Sequence, residues 1–167
     1  GPERLLQSLC ATEPWQGAPD FEVANAAWAL AQLPPALVVG YWPSLTAAAA
    51  GVSLPGASGH ELCNLLNGLA SACQAEVSVA GQLAAKVAAE LLRRLSNKSS
   101  QELSLHDRRA LTATLEHTSS CSCGQSTELL ALKAFILGSE ASCSPLPQQS
   151  CWSQQEPQQQ QQHQQQQ

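Results

Sequence analysis

The chain has 167 residues, 44% of them hydrophobic but only 4% aromatic, and a formal net charge of −5. So few aromatic and β-branched side chains exclude an ordinary all-β core and leave Leu, Ala and Val to build a helical one. The acidic total argues against bulk nucleic-acid binding, where phosphate neutralisation supplies most of the affinity.

In chain order, Pro2 opens a predicted short helix over Glu3–Ala11, with Leu5, Leu6 and Leu9 as its apolar stripe. A connector rich in Pro and Gly follows, and Asp20 stands where an N-cap is needed. The next helix reads FEVANAAWALAQL over Phe21–Leu33 and is stopped by Pro34-Pro35. Gly40–Trp42 is a turn, and Pro43 at a first helical position begins an alanine-rich helix, Ser44–Val52. Gly51, Pro55, Gly56 and Gly59 end it.

His60–Ala72 then reads HELCNLLNGLASA, a second writing of the first phrase. Glu22 and Glu61, Asn25 and Asn64, Leu30 and Leu69, and Ala31 and Ala70 each recur 39 positions apart. Val79–Leu95 is the longest helical pattern, with Leu83, Val87, Leu91 and Leu95 apolar. After a polar break at 96–100, Gln101-Glu102-Leu103-Ser104 opens a third, degraded copy at an offset of 41, with Leu105 in place of the asparagine. A Ser/Cys/Gly loop covers His117–Gln125, and a last helix runs over Thr127–Gly138 with Gly138 as its C-cap.

Repetition at this period predicts an all-α fold, an α-solenoid of stacked antiparallel helical hairpins, each too small to bury its own apolar face. The hairpins occupy about 21–59, 60–100 and 101–138, after an N-terminal helix and connector over 1–20 that can be the end of an upstream repeat. From 139 to 167 the composition changes, and thirteen of the last twenty residues are glutamine. That Gln-rich tail has too little apolar surface to offset about 1–2 kcal/mol per residue of backbone ordering, so it is expected to be disordered. Trp152 is its one isolated aromatic.

Seven cysteines at 10, 63, 73, 121, 123, 143 and 151 make a poor disulfide framework, because the count is odd and the spacing irregular. Cys121-Ser-Cys123 with Cys143 and Cys151 lacks the second close pair of a structural zinc site, so no metal or other cofactor is assigned. His60, His106, His117 and the scattered carboxylates form no triad, metal pair or phosphate loop, and the expectation is a protein that is not an enzyme and takes no small-molecule substrate. No run of about twenty apolar residues is present to span a membrane.

Helical spacing puts Val23, Ala27 and Leu30 on one stripe and Asn25, Trp28 and Gln32 on the opposite side. The second copy divides in the same way, with Leu62, Leu66 and Leu69 inward and Asn64, Asn67 and Ser71 outward. In the third copy the outward register falls on Leu105, Arg108 and Thr112. Stacked hairpins would align these positions as a ladder, and amide side chains can read base edges while an aromatic or Arg stacks on a base. The plainer alternatives are that the asparagines bond a neighbouring loop and that Trp28 packs between hairpins. Residues 86–109 carry Lys86, Arg93, Arg94, Lys98, Arg108 and Arg109 against Glu90, Glu102 and Asp107, a local excess of +3. Contact of Arg93, Arg94 or Lys98 with RNA would be to phosphate, positioning rather than specifying.

ANAAWALAQL over 24–33 and ELCNLLNGLASA over 61–72 resemble the first helix of the octotricopeptide repeat, and Gly40-Tyr41-Trp42-Pro43-Ser44 is similar to that family's turn into its second helix. The resemblance covers about 21–138, with an insertion at Pro34–Val39 and Arg108 standing where the other copies have Trp28 or Asn67. It implies an RNA-binding factor of a green-algal chloroplast or mitochondrion, acting on transcript maturation, stability or translation, or built into a mitochondrial ribosome. The implied partners are single-stranded or ribosomal RNA and other proteins of a ribonucleoprotein assembly. The competing expectation is a protein–protein scaffold of the same architecture with no direct RNA contact.

Overall fold

The computed structural model describes residue 15 and residues 17–97 and 103–141. The predicted helix over Glu3–Ala11, Lys98, and the glutamine tract with Trp152 lie outside the described residues. Among the described residues the chain is all-helical, with no strand. The elements are α1 (Asp20–Ala31), α2 (Pro35–Val38), a 3-10 turn (Val39–Tyr41), α3 (Trp42–Ala49), α4 (Gly59–Gln74), α5 (Ala80–Ser96), α6 (Leu105–Thr118), a second 3-10 turn (Ser122–Gln125) and α7 (Thr127–Ala141).

Local chemistry sets most of these boundaries. α4 and α6 each begin with a capping box, Ser58 with Glu61 and Ser104 with Asp107, in which the serine accepts the N3 amide and the acid accepts the N-cap amide. α1 starts differently from its expected form. Its N-cap is Pro19, which supplies no side-chain cap, and Asp20 is the first helical residue. Asp20 Oδ2 accepts the amide of Ser53 at 3.1 Å instead, tying α1 to the loop after α3.

Two further boundaries depart from the sequence reading. One is the start of the helix in the third phrase. With Ser104 as cap, the helix starts at Leu105, several residues later than the offset of 41 implies. α7 also runs through Gly138 to Ala141, so Gly138 is helical rather than a cap. The Pro34–Val39 insertion folds as the short α2, with Pro35 at its first position and Val38 buried.

α1 packs on α4, and α4 on α6; behind them α5 packs on α4 and on α7, while α3 packs on α1 and α4. α4 therefore has neighbours on several sides, and Leu62, Leu65 and Leu66 are all fully buried. Each such leucine contributes about 1.5–3 kcal/mol of transfer free energy. Small residues set the distance between α1 and α4. A Cβ on Gly68 would stand 2.5 Å from Ala27 Cβ and 2.8 Å from the Ala27 carbonyl carbon. Ala24 and Ala27 are buried at this contact, so the two helices meet almost backbone to backbone.

Candidate functional site

The capping boxes fix where each turn of α4 and α6 points, and the packing of α1 on α4 and α4 on α6 places three helices side by side. Counting from Ser58 and Ser104 pairs Asn67 with Ala113 and Ser71 with His117. Counting back by the 39-residue repeat pairs Asn67 with Trp28 and Ser71 with Gln32. All six of these residues line a single groove, which has a volume of about 680 Å3.

Leu30, Leu33, Val38 and Trp42 form the apolar wall at the α1 end of the groove, and His106, Ala110 and Thr114 complete the α6 end. Trp28 is 45% exposed, so a large part of its ring is accessible at the groove. Ser71 Oγ donates to the Asn67 carbonyl at 3.2 Å, which leaves its oxygen lone pairs available. Thr114 Oγ1 lies 2.9 Å from the Ala110 carbonyl and 3.3 Å from Asn67 Oδ1, sharing one hydroxyl proton between them. Among the described residues, no Lys, Arg, Asp or Glu lines the groove. Its polar groups are amides, hydroxyls and imidazoles.

A hydrogen-bonded row runs beside this groove, across the same three helices. Asn64 Nδ2 donates to Asn25 Oδ1 at 3.3 Å and lies 3.2 Å from His60 Nε2, and His60 Nδ1 lies 2.6 Å from Asp107 Oδ1. One assignment satisfies every contact. The two protons of the Asn64 amide go to Asn25 and to His60 Nε2, which leaves the imidazole proton on Nδ1 to bond the carboxylate. Burial raises the pKa of Asp107, but the hydrogen bonds from Ser104 and from His60 outweigh it and hold the carboxyl below its ordinary value.

The structure thus brings Trp28, Gln32, Asn67 and Ser71 together and separates the other expected residues from them. Asn64 is not outward-facing. It is 8% exposed because α1 and α6 flank α4 on both sides. Asn25 is exposed but joins Asn64 in the row rather than lining the groove. Arg108, expected as the third rung, is half-buried and sits at the cap-counted position of Leu62 rather than that of Asn67, while Leu105 projects outward at 66% exposure. Thr112 Oγ1 donates to the Arg108 carbonyl at 3.0 Å within its own helix.

The arginines of α5 do not line the groove either. Arg94 is 11% exposed, donating to Glu90 at 2.7 Å and to the carbonyls of Leu54 at 2.8 Å and Pro55 at 3.2 Å. It holds the loop between α3 and α4. Arg93 makes a two-pronged contact with Glu90, at 2.9 and 2.7 Å. The Arg93 hydrogen bond, against burial and with help from Arg94, lowers the Glu90 carboxyl to about 2. His106, Ala113 and His117 were missed by sequence reasoning. The Ser104-x-x-Asp107 capping signature was the signal that would have placed them. No described helix is long and apolar enough to cross a membrane. Comparison with family models, with curated proteins and with solved structures finds no match to this chain.

Proposed function

We propose that the chain is a non-enzymatic α-solenoid protein that binds single-stranded RNA along the groove across α1, α4 and α6. The order of packing supports the architecture: first helices neighbour first helices, and α5 neighbours α7. Leu130, Phe135 and Leu137 are exposed on α7, as expected of the open end of a stack.

One observation carries the functional reading. Each hairpin contributes the same two helix positions to a common groove, Trp28 and Gln32, then Asn67 and Ser71, then Ala113 and His117. Modular recognition of one base per hairpin needs such a row. An exposed indole offers a face for stacking, and amides and imidazoles offer donors and acceptors for base edges. A groove without charge suits bases and leaves phosphates outside, so few counterions should be released. The resemblance to octotricopeptide repeats supports an organellar RNA, a transcript or a ribosomal RNA, met inside a ribonucleoprotein assembly.

The same lack of charge favours a second reading, a scaffold whose groove accepts the apolar side chains of a partner peptide. Fluorescence anisotropy with labelled single-stranded RNA homopolymers separates the two. Binding at low salt, with a slope corresponding to about one or two phosphates, and its loss in Trp28→Ala/Asn67→Ala, is the expected result. Absence of binding to any of the four homopolymers at low salt would remove the RNA reading and leave the scaffold.

A further inference from the structure

The α4–α5 turn and the α6–α7 loop meet at one end of the helix pairs, and three cysteines gather there. Cys73 lies in the last turn of α4, and Cys121 and Cys123 flank the start of the second 3-10 turn. Their Sγ atoms all lie within 4.8 Å of one another, and Cys73 and Cys123 are buried. We propose that Cys73, Cys121 and Cys123 form a three-thiolate site for a thiophilic d10 metal ion of the zinc type, clamping the second hairpin to the third.

The geometry fits that ion. Zinc–sulfur bonds of about 2.3 Å place the sulfurs of a tetrahedral site about 3.8 Å apart. The three thiols fall within reach of this spacing. Cys121 Sγ and Cys123 Sγ, at 2.6 Å, would part by about 1 Å to reach it. Soft thiolates select such ions over the hard cations that prefer carboxylates.

Two glycines lie in the backbone around the cluster. Gly124 admits no side chain, because a Cβ there would stand 2.0 Å from the Thr118 carbonyl oxygen. Without that side chain the loop folds tightly back, with the Cys121 amide bonded to the Thr118 carbonyl at 3.0 Å and the Gly124 amide to the Cys121 carbonyl at 3.1 Å. Gly81, at the start of α5, packs directly against the cluster: a Cβ there would lie in ordinary van der Waals contact with Cys123 Cβ at 3.5 Å and Cys73 Sγ at 3.8 Å.

Burial opposes ionisation of Cys121, but the Cys123 thiol, the backbone N–H groups of Gly124 and Cys123, and Cys73 together lower its pKa. Burial and the same two sulfur neighbours raise that of Cys123. A divalent ion replaces the thiol protons, which pass to solvent, and three metal–sulfur bonds form with no change of oxidation state. Cys63 shows the contrast. It is buried apart from this cluster, and burial, followed by the charge of Asp107, pushes its thiol up to about 12.

The test is a cobalt(II) titration of the metal-free, reduced full chain, followed by zinc(II) displacement. The expected result is one equivalent bound per chain, with a near-ultraviolet thiolate-to-cobalt charge-transfer band, visible d–d bands, and bleaching by zinc. Cys121→Ser, a half-exposed position, and Cys73→Ser should each weaken binding by at least about tenfold with helicity retained by circular dichroism. Cys143→Ser/Cys151→Ser should bind like the parent. The proposal is overturned if the parent chain shows no charge-transfer band at saturating cobalt. It is equally overturned if Cys121→Ser binds unchanged, if the Cys143/Cys151 double variant loses the ion, or if Cys121 and Cys123 stay joined as a disulfide under reductant and exclude it.

Discussion

Asn64 Nδ2 donates to Asn25 Oδ1 across the α1–α4 interface at 3.3 Å, and the two residues are the same letter of a phrase written 39 positions apart. The repeat therefore acts on itself. The asparagine of one hairpin satisfies that of the previous one, and His60 and Asp107 extend the row to α6.

This predicts an unequal pair of effects. Asn64→Ala removes two hydrogen bonds, to Asn25 and to His60, from a position that is itself buried, and should cost about 1–2 kcal/mol in urea unfolding. Asn25→Ala, at an exposed position, should cost about 0.5 kcal/mol. A double-mutant cycle should return a coupling of at least about 0.5 kcal/mol. Strict additivity would mean that the contact contributes nothing.

Gly68→Ala sets helix propensity against packing. Alanine is the better helix former by about 0.8–1.0 kcal/mol, but its methyl group would collide with Ala27 at 2.5 Å. Overpacking of this kind costs about 1–3 kcal/mol, so the variant should be net destabilised in thermal unfolding. A higher melting temperature would show that α1 and α4 stand further apart than described.

Acid should weaken the α5 ion-pair cluster. The folded-state pKa of Glu90 is lowered from 4.5 to about 2, so its contribution is fully present above pH 4.5 and is lost as the pH falls toward 2. Glu90→Gln should flatten the dependence of the urea midpoint on pH across that window. An unchanged slope would assign acid sensitivity to other carboxyls.

The helices, their order and the apolar stripes were legible because Leu and Ala repeat at helical spacing and Pro and Gly punctuate them. Trp28, Gln32, Asn67 and Ser71 were legible for the same reason, since period and phrase alone put them in one register. The third rung was not. The offset of 41 followed the letters Glu-Leu at 102–103, while the fold follows the cap at Ser104, and moving the start displaces Arg108 from the groove and brings in His117. The placement of Arg94 was not legible, because a count of charges carries no information about the Leu54 and Pro55 carbonyls it bonds. The burial of Asn64 depended on helices lying on both sides of α4, which periodicity within one helix cannot report.

The corrected register makes its own prediction. Arg93→Ala should leave RNA affinity within about twofold, since the guanidinium lies off the groove and is already paired with Glu90. His117→Ala should reduce affinity by about tenfold, on the scale of one base contact by stacking or hydrogen bonding. Anisotropy titrations of both variants check this. The reverse order would place the binding face on α5.

The most direct test is an assigned amide-correlation NMR titration with single-stranded RNA. Binding along the groove predicts shift changes concentrated at Trp28, Gln32, Asn67, Ser71, Ala113 and His117, with α5 unaffected. Perturbation confined to α5, or a spectrum unchanged at saturating RNA, would contradict the account.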